Sequence, residues 1–395
     1  MLLRLIGRPQ HRKHLRIESD SQWFDILAMA GEHRLMPLLH ARIERGEIDL
    51  PVPPHHREQL RIAHRESALR NLAFRSELYS ATELMASEGL SGVTLKGGWL
   101  AWYAYPAAAE RPMRDIDLLM PAEQALDAFN VLRANGYQQS EASAKSPAAM
   151  IETAKHLPPL ISPSGVEFEI HMHAWEPPGS MEWGMPPLLD ARILNHAGPG
   201  EAGDPCLYPK PQHMLMHLCI HAAYSHRFDI GPLLLADIDF LIHRETIDWK
   251  SFWRDAEEGG WSRGAALVLR LYWMWMRTDI QVLSACPHIA PIEAVHSAEA
   301  LMLQDPLQRR NLGVTASVLG ASEADGLGGG LQRVGQRLRG KHRARIAPDG
   351  ESSENFANWF LRRSKETLSA FGNKELRGAA RHHTAVGRWL EQGEA

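Results

Sequence analysis

The sequence RPMRDIDLL occupies residues 111–119, and at its centre acidic and apolar side chains alternate. In a β-strand successive side chains point to opposite faces, so Asp115 and Asp117 share one face and Ile116 and Leu118 share the other. Two carboxylates held side by side repel each other unless a cation neutralises them, and hard oxygen ligands favour Mg²⁺ or Mn²⁺. The stretch therefore predicts a short strand that presents a metal-binding pair.

A second alternating stretch, residues 166–173, supplies a third carboxylate. Glu169 and His171 lie on the face opposite the apolar Phe168. Three carboxylates on adjacent strands can hold two divalent ions, the arrangement that serves phosphoryl and nucleotidyl transfer. Taken alone, an Asp-x-Asp tripeptide is also common in solvated loops, so the hypothesis depends on the surrounding sequence.

The pattern of apolar residues divides the chain into helical and mixed regions. Helical spacing extends from Ser19 to about Gly46 and, after a proline-rich break, resumes and ends near Gly89. Short strands and turns then replace it, which predicts an α+β fold with a small mixed sheet between N-terminal and C-terminal helical regions. The predicted regions are an N-terminal helical region (1–90), an α/β core (91–175), a C-terminal helical domain (176–320), a Gly/Arg-rich connector (321–353) and C-terminal helices (354–395).

Composition excludes several classes of protein. The 395 residues are 44% apolar and 23% charged, as in folded globular chains, and 43 basic against 47 acidic residues argue against a protein that coats polyanions. Three widely spaced cysteines without a CxxC pair suit a reducing compartment. The first residues lack the pattern of a signal peptide, and the longest apolar stretch, 264–276, is shorter than the roughly 20 residues that span a bilayer. We therefore expect a cytoplasmic protein without a membrane segment.

Several motifs in a fixed order resemble the bacterial nucleotidyltransferase family of the DNA polymerase β-like superfamily. They are Leu95-Lys96-Gly97-Gly98, the stretch 111–119, Gly136-Tyr137 and Phe168-Glu169-Ile170-His171. The resemblance covers about residues 93–173 and extends more weakly to about 242. It implies an NTP substrate and a minimal nucleotidyltransferase sheet in which Asp115, Asp117 and Glu169 are the catalytic metal ligands. The 16 residues between Gly98 and Asp115 are more than the superfamily usually has there.

The turn after residue 95 is the predicted nucleotide-binding element. Gly97 and Gly98 allow the backbone to approach a phosphate, and the N-terminus of the following helix favours an anion. Lys96, Arg111 and Arg114 could offset the triphosphate charge, since guanidinium groups match phosphate geometry. An ordinary ion pair or surface charge is the alternative for each, and the two interpretations are evenly matched for Arg111.

Four histidines are candidates for contact with the substrate. His156 precedes a proline segment similar to one in the family, and His171 shares the face of Glu169. His217 and His221 are four residues apart on one helical face, a spacing compatible with zinc, but the sequence offers no third ligand. The alternatives are that the pair contacts a phosphate or the acceptor, or that both histidines are buried in the core with their hydrogen bonds satisfied.

The sequence thus predicts a metal-dependent nucleotidyltransferase that transfers NMP, or a phosphoryl group, from an NTP such as ATP to an unidentified acceptor. The resemblance also implies a link to bacterial peptide natural-product pathways, so a peptide or small-molecule acceptor is favoured, while another protein or an RNA 3′ end stays open. One alternative is a nucleotide-binding or regulatory module without catalysis. Another is an RNA-binding or RNA-modifying protein that uses the arginine-rich segment 333–345.

Overall fold

The computed structural model describes residues 1–140, 146–151, 153–176, 185–276, 281–304 and 374–391. These residues belong to two compact units. The first comprises residues 1–225 and 232–287, and the second comprises residues 226–231 and those from 288 onward. The predicted connector 321–353, with its arginine-rich segment 333–345, lies outside the described residues.

The first unit opens with helices. They are α1 (Leu2–Ile6), α2 (Pro9–Arg12), α3 (Asp20–Glu32), α4 (Met36–Glu44) and α5 (Pro54–Ser87). Ser19 caps α3 in a capping box, because its side chain accepts a hydrogen bond from the backbone N–H of Gln22 and the Gln22 side chain accepts one from Ser19. The continuous helical pattern predicted up to Gly46 is in fact two helices. Arg34, with φ of 60°, lies in the turn between them, and Pro37 stands at the start of α4.

Seven strands form one mixed sheet within the described residues, and the α+β prediction is confirmed. The strands are β1 (Val93–Thr94), β2 (Asp115–Leu119), β3 (Gln138–Gln139), β4 (Leu160–Ile161), β5 (Glu167–His171), β6 (Gly198–Pro199) and β7 (Leu207–Tyr208). Their spatial order is β3-β4-β5-β2-β1-β7-β6. The central strands β2 and β5 are parallel, whereas β1 and β2 are antiparallel.

Further helices lie between and after these strands along the chain. They are α6 (Gly97–Trp99), continued by a π-helical turn (Leu100–Ala104), a 3₁₀ turn (Ala108–Glu110), α7 (Ala122–Ala134), α8 (Pro147–Met150), α9 (Pro187–His196), α10 (Pro211–Ile220), continued by a second π-helical turn (His221–Ser225), α11 (Leu233–Arg244), α12 (Trp249–Glu258), α13 (Ser262–Trp275) and α14 (Gln281–Ser284). Phe168, Trp253 and Trp261 are almost completely buried. No helix among the described residues is long and apolar enough to cross a membrane.

The segment that leads into β2 is held by distant parts of the first unit. The Asn71 amide on α5 donates hydrogen bonds to the carbonyl oxygens of Ala108, at 2.6 Å, and Arg111, at 2.9 Å. Arg45, at the end of α4, forms a two-pronged ion pair with the buried carboxylate of Glu110 at 2.6 and 3.1 Å. The N-terminal helices therefore fix the position from which Asp115 enters the sheet.

The second unit contains α15 (Ile292–Met302) and α16 (Lys374–Glu391), which pack against each other. Ala298, Leu301 and Val386 are buried in this unit. His382 and Ser297 add a hydrogen bond of 3.1 Å between the two helices.

Candidate active site

The parallel pairing of β2 and β5 brings the predicted carboxylates together. Asp117 lies opposite Glu169 in the register, and Asp115 lies opposite Glu167. One oxygen each from Asp117 and Glu169, together with a ring nitrogen of His171, lie within 4.8 Å of one another. Two strands separated by about fifty residues thus deliver acidic groups to one place because side chains alternate along each strand.

His171 joins two of these carboxylates. Its Nε2 atom lies 2.9 Å from Asp117 Oδ1 and 3.1 Å from Glu169 Oε2, and the ring is buried. Burial opposes the imidazolium form, but the two carboxylates outweigh it and raise the pKa of His171. Burial also opposes ionisation of Glu169, but the hydrogen bond from His171 and the charges of His156 and His171 together outweigh it and lower the pKa of that carboxyl.

Lys96 supplies a second positive charge. Its Nζ atom lies 3.1 Å from Asp117 Oδ1. The residue has φ of 43°, in the left-handed region that residues other than glycine rarely adopt, at the point where β1 turns into α6. Burial alone would raise the pKa of Asp117, but Lys96 and His171 hold it well below its usual range.

Asp115 has a different environment. Among the described residues, no group donates a hydrogen bond to its carboxylate. Burial, followed by the charge of Asp117, raises its pKa to about 6. The cluster therefore carries more negative charge than the neighbouring side chains neutralise. A set of carboxylate oxygens in this state fits a hard divalent cation, and Asp115, Asp117 and Glu169 could hold Mg²⁺ or Mn²⁺.

The two glycines of the turn are enclosed by protein atoms. A Cβ at Gly97 would lie 2.6 Å from Nη1 of Arg111, and one at Gly98 would overlap the Cγ2 methyl of Thr94. Both glycines are buried. The close approach that requires glycine here is therefore one between protein groups, in addition to the predicted approach of a phosphate.

The predicted phosphate-binding arginines have different surroundings. Arg111 is buried in a two-pronged ion pair, with Nε 2.7 Å from Asp237 Oδ1 and Nη2 2.8 Å from Oδ2. The Tyr105 hydroxyl donates to the same carboxylate at 2.7 Å. Arg114 is exposed, and its side chain has no hydrogen-bond or ion-pair partner in the part of the chain that the structure describes. The sequence had left both possibilities open for Arg111, and the structure places it in the ion pair.

His156 borders the acidic cluster. Its Nε2 atom lies 3.9 Å from Glu169 Oε1, and its ring centre lies 5.2 Å from that of His171. Its Nδ1 atom is 2.7 Å from the carbonyl oxygen of Leu157, and burial lowers the pKa of the ring. A neutral imidazole thus lies beside the third carboxylate.

His217 is completely buried close to the same cluster. Neither of its ring nitrogens has a hydrogen-bond partner among the described residues. Its ring packs 5.5 Å from Trp175 and 5.7 Å from His221. Burial, followed by the charge of Lys96, holds the pKa of His217 well below its usual range. The sequence placed His217 and His221 on one helical face, and the structure adds that this face approaches the side of the site where Lys96 lies.

Arg34 is a cation near the site that the sequence analysis missed. It is partly buried, and the charges of Arg114, Arg111, Asp237 and Asp115 all act on it. Pro37, at the start of α4, was the available signal for a turn here, but nothing in the spacing connects residue 34 with residue 115. Only the tertiary structure brings them together.

A mixed sheet whose central parallel strands carry clustered carboxylates, next to a lysine and a glycine turn, brings together the kinds of group that metal-assisted nucleotidyl- or phosphoryl-transfer proteins use. Comparison with protein families gives the same class. The model of a family described as "Uncharacterised nucleotidyltransferase" matches residues 19–277, and the chain belongs to this family. No curated protein and no solved structure gives a match.

Proposed function

We propose that this protein is a metal-dependent nucleotidyltransferase that moves NMP from an NTP to an acceptor hydroxyl or similar nucleophile and releases pyrophosphate. Membership of the nucleotidyltransferase family makes a transferase the expected class. The observation that carries the proposal is the pairing of Asp117 with Glu169 across two parallel strands, with Asp115 two residues before Asp117 on β2 and close enough for both charges to act on it. A peptide or small molecule is the favoured acceptor.

The surplus of negative charge supports a role for a divalent ion. Asp115, Asp117 and Glu169 would hold Mg²⁺ or Mn²⁺, which when bound polarises the phosphate oxygens and stabilises the charge that develops on them. Burial, followed by the charge of Asp117, raises the pKa of Asp115, so a cation bound beside it would favour its ionised form.

The side chains of the protein divide the remaining tasks. The acceptor oxygen attacks the α-phosphorus, the bond from that phosphorus to the bridging oxygen breaks, and pyrophosphate leaves with the bonding electrons. Glu169 takes the proton of the acceptor, since hydrogen bonding to His171 keeps it ionised at neutral pH. Lys96 and Arg114 attract the triphosphate, and the neighbouring His156 orients the acceptor next to Glu169.

A labelling experiment tests the proposal. The purified full chain is incubated with each of the four NTPs labelled in the α-phosphate, with Mg²⁺ or Mn²⁺ and a fractionated bacterial extract. Label is expected in an acceptor only with metal present, and equimolar pyrophosphate is expected in solution. Labelling from the γ-phosphate instead would identify phosphoryl transfer at the same site.

Two variants provide the controls for this experiment. Asp117→Asn should abolish labelling, whereas Glu167→Gln, which changes a carboxylate outside the cluster of Asp117, Glu169 and His171, should retain it. Metal-independent labelling, or labelling that survives Asp117→Asn, would contradict the proposed chemistry.

A further inference from the structure

We propose that Arg34, together with Arg114, binds the β- and γ-phosphates of the NTP, so that the turn between α3 and α4 forms part of the active site. This inference rests on the proposed function and deepens it. It assigns the binding of the leaving pyrophosphate to a residue that lies about sixty residues before the sheet begins.

The first observation is that Arg34 has no partner. Within the described residues its side chain forms no hydrogen bond and no ion pair, although it is partly buried. Arginine that is withdrawn from water is normally paired, because five N–H donors and a full charge are costly to desolvate. Burial, and after it the repulsion from Arg114 and Arg111, lowers the pKa of Arg34 to about 10. A guanidinium in these surroundings would gain from contact with an anion.

The second observation is the backbone conformation. Arg34 has φ of 60°. Glycine adopts this conformation readily, whereas a residue with a Cβ is strained in it. Lys96 shows the same feature, with φ of 43°. The Leu35 N–H donates to the carbonyl oxygen of Ala30 and the Arg34 N–H to that of Gly31, a Schellman turn that ends α3 and uses this conformation at Arg34, so the backbone from which the guanidinium extends is fixed.

The third observation is the distribution of charge around the carboxylates. The charge of Arg34 acts on Asp115, which Arg114 precedes in the chain, while His156 and His171 lie 3.9 and 3.1 Å from the Glu169 carboxylate. In an in-line displacement the nucleophile and the leaving group occupy opposite sides of the phosphorus. If Glu169 faces the acceptor, Asp115 and the two arginines face the leaving pyrophosphate, whose charge increases as the bond breaks.

Asp115 alone does not account for Arg34. Its carboxylate is close enough to influence the pKa of Arg34, yet it forms no hydrogen bond or ion pair with the guanidinium. Arg111 differs, because Asp237 satisfies it with two short hydrogen bonds. A free guanidinium fork matches the geometry of phosphate oxygens, which it can bind with two hydrogen bonds.

The test uses Arg34→Gly in the full chain. Glycine removes the cation and relieves the strain at φ of 60°, so the variant should unfold at the same temperature as the parent or a higher one. Binding of ATP, AMP and inorganic tripolyphosphate, each with Mg²⁺, is measured by calorimetry. A second variant, Arg34→Gln, is measured in the same way. Its matched control is Arg65→Gln on the exposed surface of α5, since glycine at position 65 would itself destabilise the helix.

Both Arg34 variants should bind ATP and tripolyphosphate about tenfold or more weakly than the parent, the effect of losing one charge-assisted hydrogen bond. Their affinity for AMP should fall by less than about twofold. Arg65→Gln should change none of the three. An equal loss of affinity for ATP and AMP would overturn the assignment. Unchanged tripolyphosphate affinity would also overturn it, and this is the result expected if Arg34 binds an anionic acceptor instead. Failure of the parent protein to bind any of the four NTPs would overturn the proposed function itself and this inference with it.

Discussion

At the scale of single residues, Asp115 and Asp117 show how two identical side chains on one strand acquire opposite properties. Asp117 accepts hydrogen bonds from Lys96 and His171, and its pKa is depressed. Asp115 lacks such donors within the described chain, and its pKa is raised. The sequence predicts repulsion between the two carboxylates, but it cannot predict which of them the lysine and histidine relieve, because both partners come from other strands and turns.

The two aspartates should therefore respond differently to neutralisation. Asp115 binds its proton more tightly in the folded state, with a pKa of about 6 against about 3.9 unfolded, so the metal-free protein loses stability as pH rises through this interval. Asp115→Asn should raise the free energy of unfolding by up to about 3 kcal/mol at pH 7.5. Asp117→Asn should lower it, since this change removes a favourable ion pair with Lys96. Urea unfolding in EDTA at pH 4 and 7.5 measures both effects.

Transfer activity adds the second half of this prediction. Each variant should lose metal-dependent transfer, because each removes a ligand charge. The assignment of these residues would be contradicted if Asp115→Asn lowered the free energy of unfolding at pH 7.5. It would also be contradicted if either variant kept full transfer activity.

Glu169 and Glu167 form an internal comparison on β5. They have the same charge and lie two residues apart. Glu169 forms a hydrogen bond with His171, whereas Glu167 lies opposite Asp115 in the strand register. Glu169→Gln should retain NTP binding and lower kcat by orders of magnitude, because it removes the base and a metal ligand. Glu167→Gln should alter kcat by no more than a few fold. Greater damage from Glu167→Gln would show that the third carboxylate is misassigned.

At the scale of elements, period-two alternation was sufficient to predict β2 and β5 and the face on which their carboxylates lie. The glycine turn and the helical start of the chain were also predictable from local pattern. The break between α3 and α4 was not, because apolar spacing continues across it and only Pro37 marks the new start. Strand order was equally out of reach, since short strands such as β6 and β7 carry too few residues to show alternation.

The glycine turn yields a prediction about packing. A Cβ at Gly98 would overlap the Cγ2 methyl of Thr94 on β1. Gly98→Ala should therefore destabilise the protein by about 1–3 kcal/mol, the usual cost of overpacking. Thr94→Ser removes that methyl, so Gly98→Ala in a Thr94→Ser background should cost much less. Thermal and urea unfolding of the four proteins in this cycle measure the coupling, and strict additivity would contradict the proposed contact.

At the scale of the first unit, distant parts of the chain converge on the segment before β2. Asn71 and Arg45 hold it from the N-terminal helices, and Asp237 of α11 holds it from 126 residues downstream. Motif spacing within residues 93–173 could identify the carboxylates, because they depend on local alternation. It could not identify Arg34 as a neighbour of the site or Asp237 as the partner of Arg111, because no local periodicity encodes contacts over such separations.

The ion pair between Arg111 and Asp237 provides a test at this scale. Asp237→Leu leaves a buried guanidinium without its partner, and we expect a loss of about 3–5 kcal/mol. The double variant Arg111→Met/Asp237→Leu removes both charges and should be more stable than Asp237→Leu alone. Because both short contacts of Arg111 go to Asp237, the double variant should also bind ATP with nearly the affinity of the parent protein. A double variant that regains stability but loses ATP binding would instead show that Arg111 contacts phosphate, the other role its sequence position suggested.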